Sequence, residues 1–116
     1  MSFKTKIKLD PVNSDISRLK CPRCGHDNIH QGQVTVYDRK EDASNVTVTT
    51  VSDGMASMAV RSSEGSGNPS SRRHGLAIAF SCEGCGGGTK DDYIQLLIAQ
   101  HKGDTHIGWR FSPPKD

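Results

Sequence analysis

Two cysteine pairs are the residues of this chain whose type and spacing announce chemistry. They are Cys21-Pro22-Arg23-Cys24 with Gly25 behind it, and Cys82-Glu83-Gly84-Cys85 with Gly86 behind it. Two residues between cysteines let a tight turn aim both sulfurs at one point, and structural zinc takes four such ligands at tetrahedral corners. The trailing glycine permits a backbone that turns amide N–H groups toward the thiolates. Those donors matter, because four thiolates around Zn2+ leave a net negative charge, which Lys20 and Arg23 stand close enough in sequence to offset in part. The expected cofactor is therefore Zn2+ and the expected ligands are Cys21, Cys24, Cys82 and Cys85. Iron in a rubredoxin-like site is the alternative that spacing does not separate from zinc.

The distance between the pairs is unusual. Fifty-seven residues separate Cys24 from Cys82, whereas simple ribbons have about 15–20. Closing so long a loop costs on the order of 1 kcal/mol more than closing a short one, because loop entropy grows logarithmically. Structural zinc supplies about 10–16 kcal/mol in small peptides, so the metal wins and the gap reads as an insertion between two knuckles of one site. Two separate redox motifs would need a βαβ context that the sequence lacks. Disulfides are disfavoured in the reducing compartment expected below. His26 reads as a surface residue beside a shell already completed by four cysteines.

The elements that must position these pairs are strands. Residues 33–38 (QVTVYD) and 45–51 (NVTVTTV) alternate with period two around the charged RKEDAS. Residues 75–82 (GLAIAFSC) put Leu76, Ile78, Phe80 and Cys82 on one face. Residues 93–100 and 105–111 flank HKGD, a glycine-containing turn, and so form a hairpin. Residues 54–60 (GMASMAV) fit a helical turn or two, or a strand. Residues 61–75 (RSSEGSGNPSSRRHG) are too polar to bury a core and read as an exposed, mobile loop. Residues 1–15 form an expected flexible basic arm, with FKTKIKL as a lysine-faced edge strand at most, and 112–116 an expected flexible tail. The fold class that follows is mainly β: one small antiparallel zinc-ribbon-like domain over 16–111, carrying an inserted strand pair and a long flexible loop.

On CPRCG, on NPSSRRHGLAIAFSCEGCG and on LLIAQHKGDTHIGW, the chain resembles a zinc ribbon, and more narrowly a family of small bacterial and phage mobile-element proteins. These stretches cover about a third of the chain. The resemblance implies a four-cysteine zinc site in a β-rich fold and no established activity. The glycine-rich GCGGGTKDDYIQ loosens the strand that follows it.

Composition sets the remaining limits. The 116 residues are 33% hydrophobic and 5% aromatic, with 12 glycines, against about 45–50% apolar in an ordinary globular chain even with glycine counted. So small and polar a domain calls for a cross-link beyond its core. The net charge of +2 neither demands nor forbids a polyanion. No apolar run approaches the roughly 18 residues of a membrane span and no signal-peptide core is present, so a cytoplasmic location is expected, with no membrane partner and no small-molecule substrate evident. Four cysteine ligands leave no position for an activated water, so no enzyme is expected. His101 and His106 flank the hairpin turn, where solvated histidines are commoner than a second metal. Asp91 and Asp92 read as turn residues, and EGSGNPSS has no phosphate-binding pattern.

What remains is binding. Arg61, Arg72 and Arg73 on the polar loop, with Lys20 and Arg23 beside the first knuckle, are the candidates for nucleic acid or another partner. Trp109, Tyr93 or Phe111 would add base stacking if exposed, although Trp109 alternates with Ile107 and Phe111 as a core residue would. The rival is a protein–protein interaction module, with 33–38 and 45–51 as edge strands offered to a partner strand or a second copy. The expectation is a structural-zinc binding or regulatory module of a bacterial or phage cytoplasm.

Overall fold

The computed structural model describes residues 6–85 and 94–111, the side chain of Cys85 excepted. It is mainly β, with two antiparallel sheets and no α-helix among the described residues. Leu9–Pro11 (β1) pairs with Ser17–Leu19 (β2) in a small two-stranded sheet, so the basic arm contributes a strand. The larger sheet has six strands: Ile29–Asp38 (β3), Asn45–Ser52 (β4), Met55–Ser62 (β5), Gly75–Cys82 (β6), Ile94–His101 (β7) and Asp104–Phe111 (β8). Their spatial order is β5-β4-β3-β6-β7-β8.

Local sequence explains most of this. The ambiguous segment 54–60 is a strand because Asp53 and Gly54, at φ 52° and 77°, form a two-residue turn of the kind that matches strand twist. β5 then pairs with β4 along its whole length, from Met55 opposite Ser52 to Ser62 opposite Asn45. The inserted segment therefore supplies three strands rather than two. Residues 33–38 and 45–51 are consequently not edges: β5 covers β4, and β3 lies between β4 and β6. The second hairpin forms as expected, with His101 opposite Asp104 and Lys102 in the left-handed region at φ 56°.

Residues opposite each other in an antiparallel pair share a side of the sheet, so the registers define two sides. One carries Tyr37, Val46, Val48, Ala77 and Leu97, which form a buried cluster. Residues 63–74 lie over this side. A Cβ on Gly75 would meet Asn68 and Pro69, and Arg110 Nη1 donates to Gly67 O at 2.9 Å. Ser70 Oγ donates to Gln100 O at 2.6 Å, and Arg39 Nη1 donates to Ser71 O at 2.8 Å. Ser66, Pro69 and Ser70 are buried, which corrects the expectation of an exposed loop. Serine and asparagine side chains here satisfy the backbone that a tight packed loop would otherwise leave unpaired.

The opposite side carries Val34 and Val36, Val51, Met58 and Val60, Leu76 and Ile78, Ile98 and Ile107. At one end of it a second cluster forms around Cys21, Ile94 and Trp109, with Ile7, Leu19, Ile29, Phe80, Cys82, Leu96 and Phe111 packed against it. Trp109 is fully buried there and meets the Phe80 ring edge-on at 5.7 Å. Among the described residues nothing packs on the remainder of that side.

Candidate metal centre

The first knuckle is a tight loop between β2 and β3. Cys21 N donates to His26 O and Gly25 N donates to Cys21 O, both at 3.0 Å, which folds the CPRCG turn back on itself. Gly25 sits at φ 77°, a conformation that L side chains rarely adopt, so the glycine behind the first pair is required by the turn. The amide of Arg23 points at Cys21 Sγ, 3.4 Å away, as expected of a donor that stabilises a thiolate. The second knuckle leaves the end of β6 as a single 3-10 turn, Glu83–Cys85.

Four independent ties bring the knuckles together. Ile29 lies opposite Cys82 in the β3–β6 register. Glu83 N donates to Asn28 O at 3.1 Å, and His30 Nε2 lies 2.8 Å from Glu83 Oε2. The His26 ring packs on Gly84, where an added Cβ would sit 2.6 Å from ring carbon Cδ2. His26 Nδ1 meanwhile accepts from the amide of Asn28 at 3.0 Å, so His26 braces the two turns against each other.

The result is a cluster of three sulfurs. Cys21, Cys24 and Cys82 place their Sγ atoms within 4.8 Å of one another, and Cys24 and Cys82 Sγ are 3.5 Å apart. Ligands at about 2.3 Å from a tetrahedral zinc are about 3.8 Å apart, so the three sulfurs fit corners of such a shell. Cys21 is buried, Cys82 half-buried and Cys24 exposed. Sequence spacing thus located three of the four expected ligands in one place, and the Cys85 side chain lies outside the described residues.

The basic candidates are less available than their sequence suggests. Lys20 Nζ lies 2.8 Å from Asp10 and 3.4 Å from Asp27, and the hydrogen bond to Asp10 holds the ammonium above its ordinary pKa. The Arg23 guanidinium lies over the Phe111 ring, 4.8 Å from its centroid. Arg72 reaches Asp42 at 2.7 Å and Glu41 at 3.1 Å, and Arg73 reaches Glu41 at 3.1 Å. The Arg72 hydrogen bond holds the Asp42 carboxyl below the usual range, and the same contact raises Arg72. Arg61 stands apart from these, near the end of β5 opposite Val46.

His101 and His106 do approach across their hairpin, with rings stacked at 5.3 Å. Among the described residues no third metal-ligating side chain joins them, the cysteine cluster being the group that forms. Asp91, Asp92 and Tyr93 lie outside the described residues. Trp109 and Phe111 are not stacking platforms in the open: Trp109 is buried, and its Nε1 has no partner among the described residues. Asn28 and His30 are elements of the site that sequence reasoning missed, and His26, expected only as a surface residue beside it, is half-buried against Gly84. The signal for them was weak, since each acts through a contact with the second knuckle more than 50 positions away. Comparison with family models, with curated proteins and with solved structures finds no match, so the cysteine cluster and its sheet speak for themselves.

Proposed function

We propose that this chain is a non-enzymatic binding module built on one structural zinc ion, held by Cys21, Cys24, Cys82 and Cys85. The observation that carries the reading is the convergence of three thiol sulfurs from both ends of a long insertion, within 4.8 Å of one another. The donor set is all sulfur, which suits zinc or iron rather than a hard cation. Cys85 is placed in the shell by its CxxC spacing from Cys82. A closed four-thiolate shell gives the metal a folding role, since no ligand position is left for substrate or water.

Elemental analysis of freshly purified protein should find one zinc per chain. Each of Cys21→Ser, Cys24→Ser, Cys82→Ser and Cys85→Ser should lower metal affinity steeply, and equal losses for Cys85→Ser would identify it as the fourth ligand. Iron in place of zinc would show as a visible thiolate-to-metal absorption band. Absence of stoichiometric metal, with folding untouched by chelator, would end the reading.

For the partner, two features favour protein over nucleic acid. Arg72 and Arg73 are engaged by Glu41 and Asp42, so phosphate would have to displace carboxylates already in place. β5 is an edge strand exposed along all eight of its residues, and Arg61 is its one charged side chain, whereas edges meant to stay alone are normally guarded by charge. Nucleic-acid binding through the arginine loop would instead show an affinity that falls steeply with salt and drops on Arg72→Ala/Arg73→Ala.

A further inference from the structure

The sheet side opposite residues 63–74 is only partly used. Its far end packs against the cysteine knuckles, but at the near end all six strands present apolar side chains on which nothing packs among the described residues, with Thr47 and Thr49 of β4 set between them. From edge to edge these are Met58 and Val60 on β5, Val51 on β4, Val34 and Val36 on β3, Leu76 and Ile78 on β6, Ile98 on β7 and Ile107 on β8. Met58 is 73% exposed, Val60 69%, Ile107 54%, Val51 46% and Val36 41%. The others are half-buried.

The chemistry of this surface narrows its occupant. None of the apolar positions is charged, but the registers set Thr49 between Met58 and Val36 and put Thr47 and Asp38 in the same row as Val60, so that Asp38, Gln100 and Thr105 mark the border. An apolar centre with a polar rim is the layout of a protein interface. A centre without charge offers no electrostatic complement to a charged partner, but it is complementary to itself. With strands about 4.8 Å apart and same-side residues about 6.8 Å apart, the surface spans about 28 by 17 Å, or about 500 Å², once the polar positions Thr47, Thr49, Asp38, Gln100 and Thr105 are counted with the apolar ones. Two copies would bury about 1,000 Å² together, the size at which specific interfaces begin. Facing sheets also pack well, at about 10 Å separation.

We propose that a second copy of this chain covers this surface, giving a face-to-face sandwich of two six-stranded sheets. The inference names the partner for the protein-interaction reading and rests on it, but sets the contact on the open side of the sheet rather than along the β5 edge, while the zinc assignment stands apart. Because the area is at the small end of the range, the dimer is of moderate strength and dissociates on dilution.

The two methionines of β5 provide a built-in reporter. Met55 and Met58 are equally exposed in the single chain, at 73% each. Their odd and even positions put them on opposite sides of the sheet, Met55 with Ser52 and Met58 with Thr49. In the metal-loaded full chain at high concentration, peroxide should oxidise Met58 several-fold more slowly than Met55, and the gap should close on dilution. Sedimentation equilibrium should show a monomer–dimer equilibrium over the same concentrations. Val36→Glu and Val51→Glu should weaken it by about a hundredfold or more by placing charge at the centre of the contact, with zinc content unchanged.

A protein that stays monomeric at about 1 mM overturns the inference and leaves the zinc module intact. A dimer indifferent to both glutamate variants overturns it too, since that pattern belongs to pairing along the β5 edge. The methionine comparison uses the native chain and decides the matter even where a variant does not fold.

Discussion

Gly84 shows how much of the site depends on a contact rather than on a ligand. Any side chain there would run into His26, its ring at 2.6–2.7 Å and its Cβ at 2.9 Å, and the ring is tethered by its Nδ1 hydrogen bond. Gly84→Ala should therefore cost about 1–3 kcal/mol, as overpacking does elsewhere, and His26→Ala in the same chain should restore part of the loss. Denaturation midpoints of the two single variants and the double variant measure this. Asp42 offers a second test. Its folded-state pKa is depressed below the ordinary 3.8 by Arg72, so the pair favours the folded state above that value and ceases to do so as pH falls through the depressed pKa. Arg72→Ala should raise the Asp42 pKa back toward 3.8, read by NMR titration of its carboxyl. An unmoved titration would show that the ion pair does not persist in solution. The cysteine pairs were legible in the sequence because CxxC spacing is a local property of the chain. The His26–Gly84 contact was not, because nothing near either residue in sequence points to the other.

Among the elements, the strands declared themselves by period-two alternation, with Val46 and Val48 on the buried side of β4, Val34 and Val36 against Thr35 and Tyr37 in β3, and Leu76, Ile78 and Phe80 against alanines in β6. β5 did not, since both of its sides are exposed and its alanines and methionines fit a helical turn as well as a strand. The Asp53-Gly54 dipeptide was the available signal, a hairpin turn between two extended runs. The expected exposed loop at 61–75 is instead two strand ends and a packed segment, 63–74, for a different reason: composition reports how much apolar area a loop can bury, not how many hydrogen bonds it can make. Ser70 accounts for much of that, donating to Gln100 O and accepting from the amides of Arg72 and Arg73. Ser70→Ala should cost about 1–3 kcal/mol by leaving buried backbone groups unpaired. The same change should expose the Arg72–Arg73 site, so that trypsin cuts the variant there faster than the native chain. Equal cleavage rates would mean that the loop is held by something other than Ser70.

At the scale of the molecule, the two buried clusters divide the labour unequally. One contains Cys21 and Trp109 and depends on the knuckles; the other, around Tyr37, Val48 and Leu97, lies on the opposite side of the sheet. Chelation should therefore strip amide protection first from β1, β2 and the knuckle ends of β3 and β6, while Val46–Val48 and Leu97 exchange later. Trp109 emission should shift to the red in the same early phase. Simultaneous loss everywhere would show that the sheet has no stability of its own without the ion. The sequence made the sheet's class plain and concealed its width and its open side, because burial on either side is decided by what comes to rest there. The separation of Cys24 from Cys82 also has a bearing on biosynthesis. A ribosome adding about 5–20 residues per second presents the first two thiols seconds before the others exist. During that interval they form only half of the proposed chelate, open to rival metals and oxidants, and the cysteine cluster can close only once the later turn has emerged.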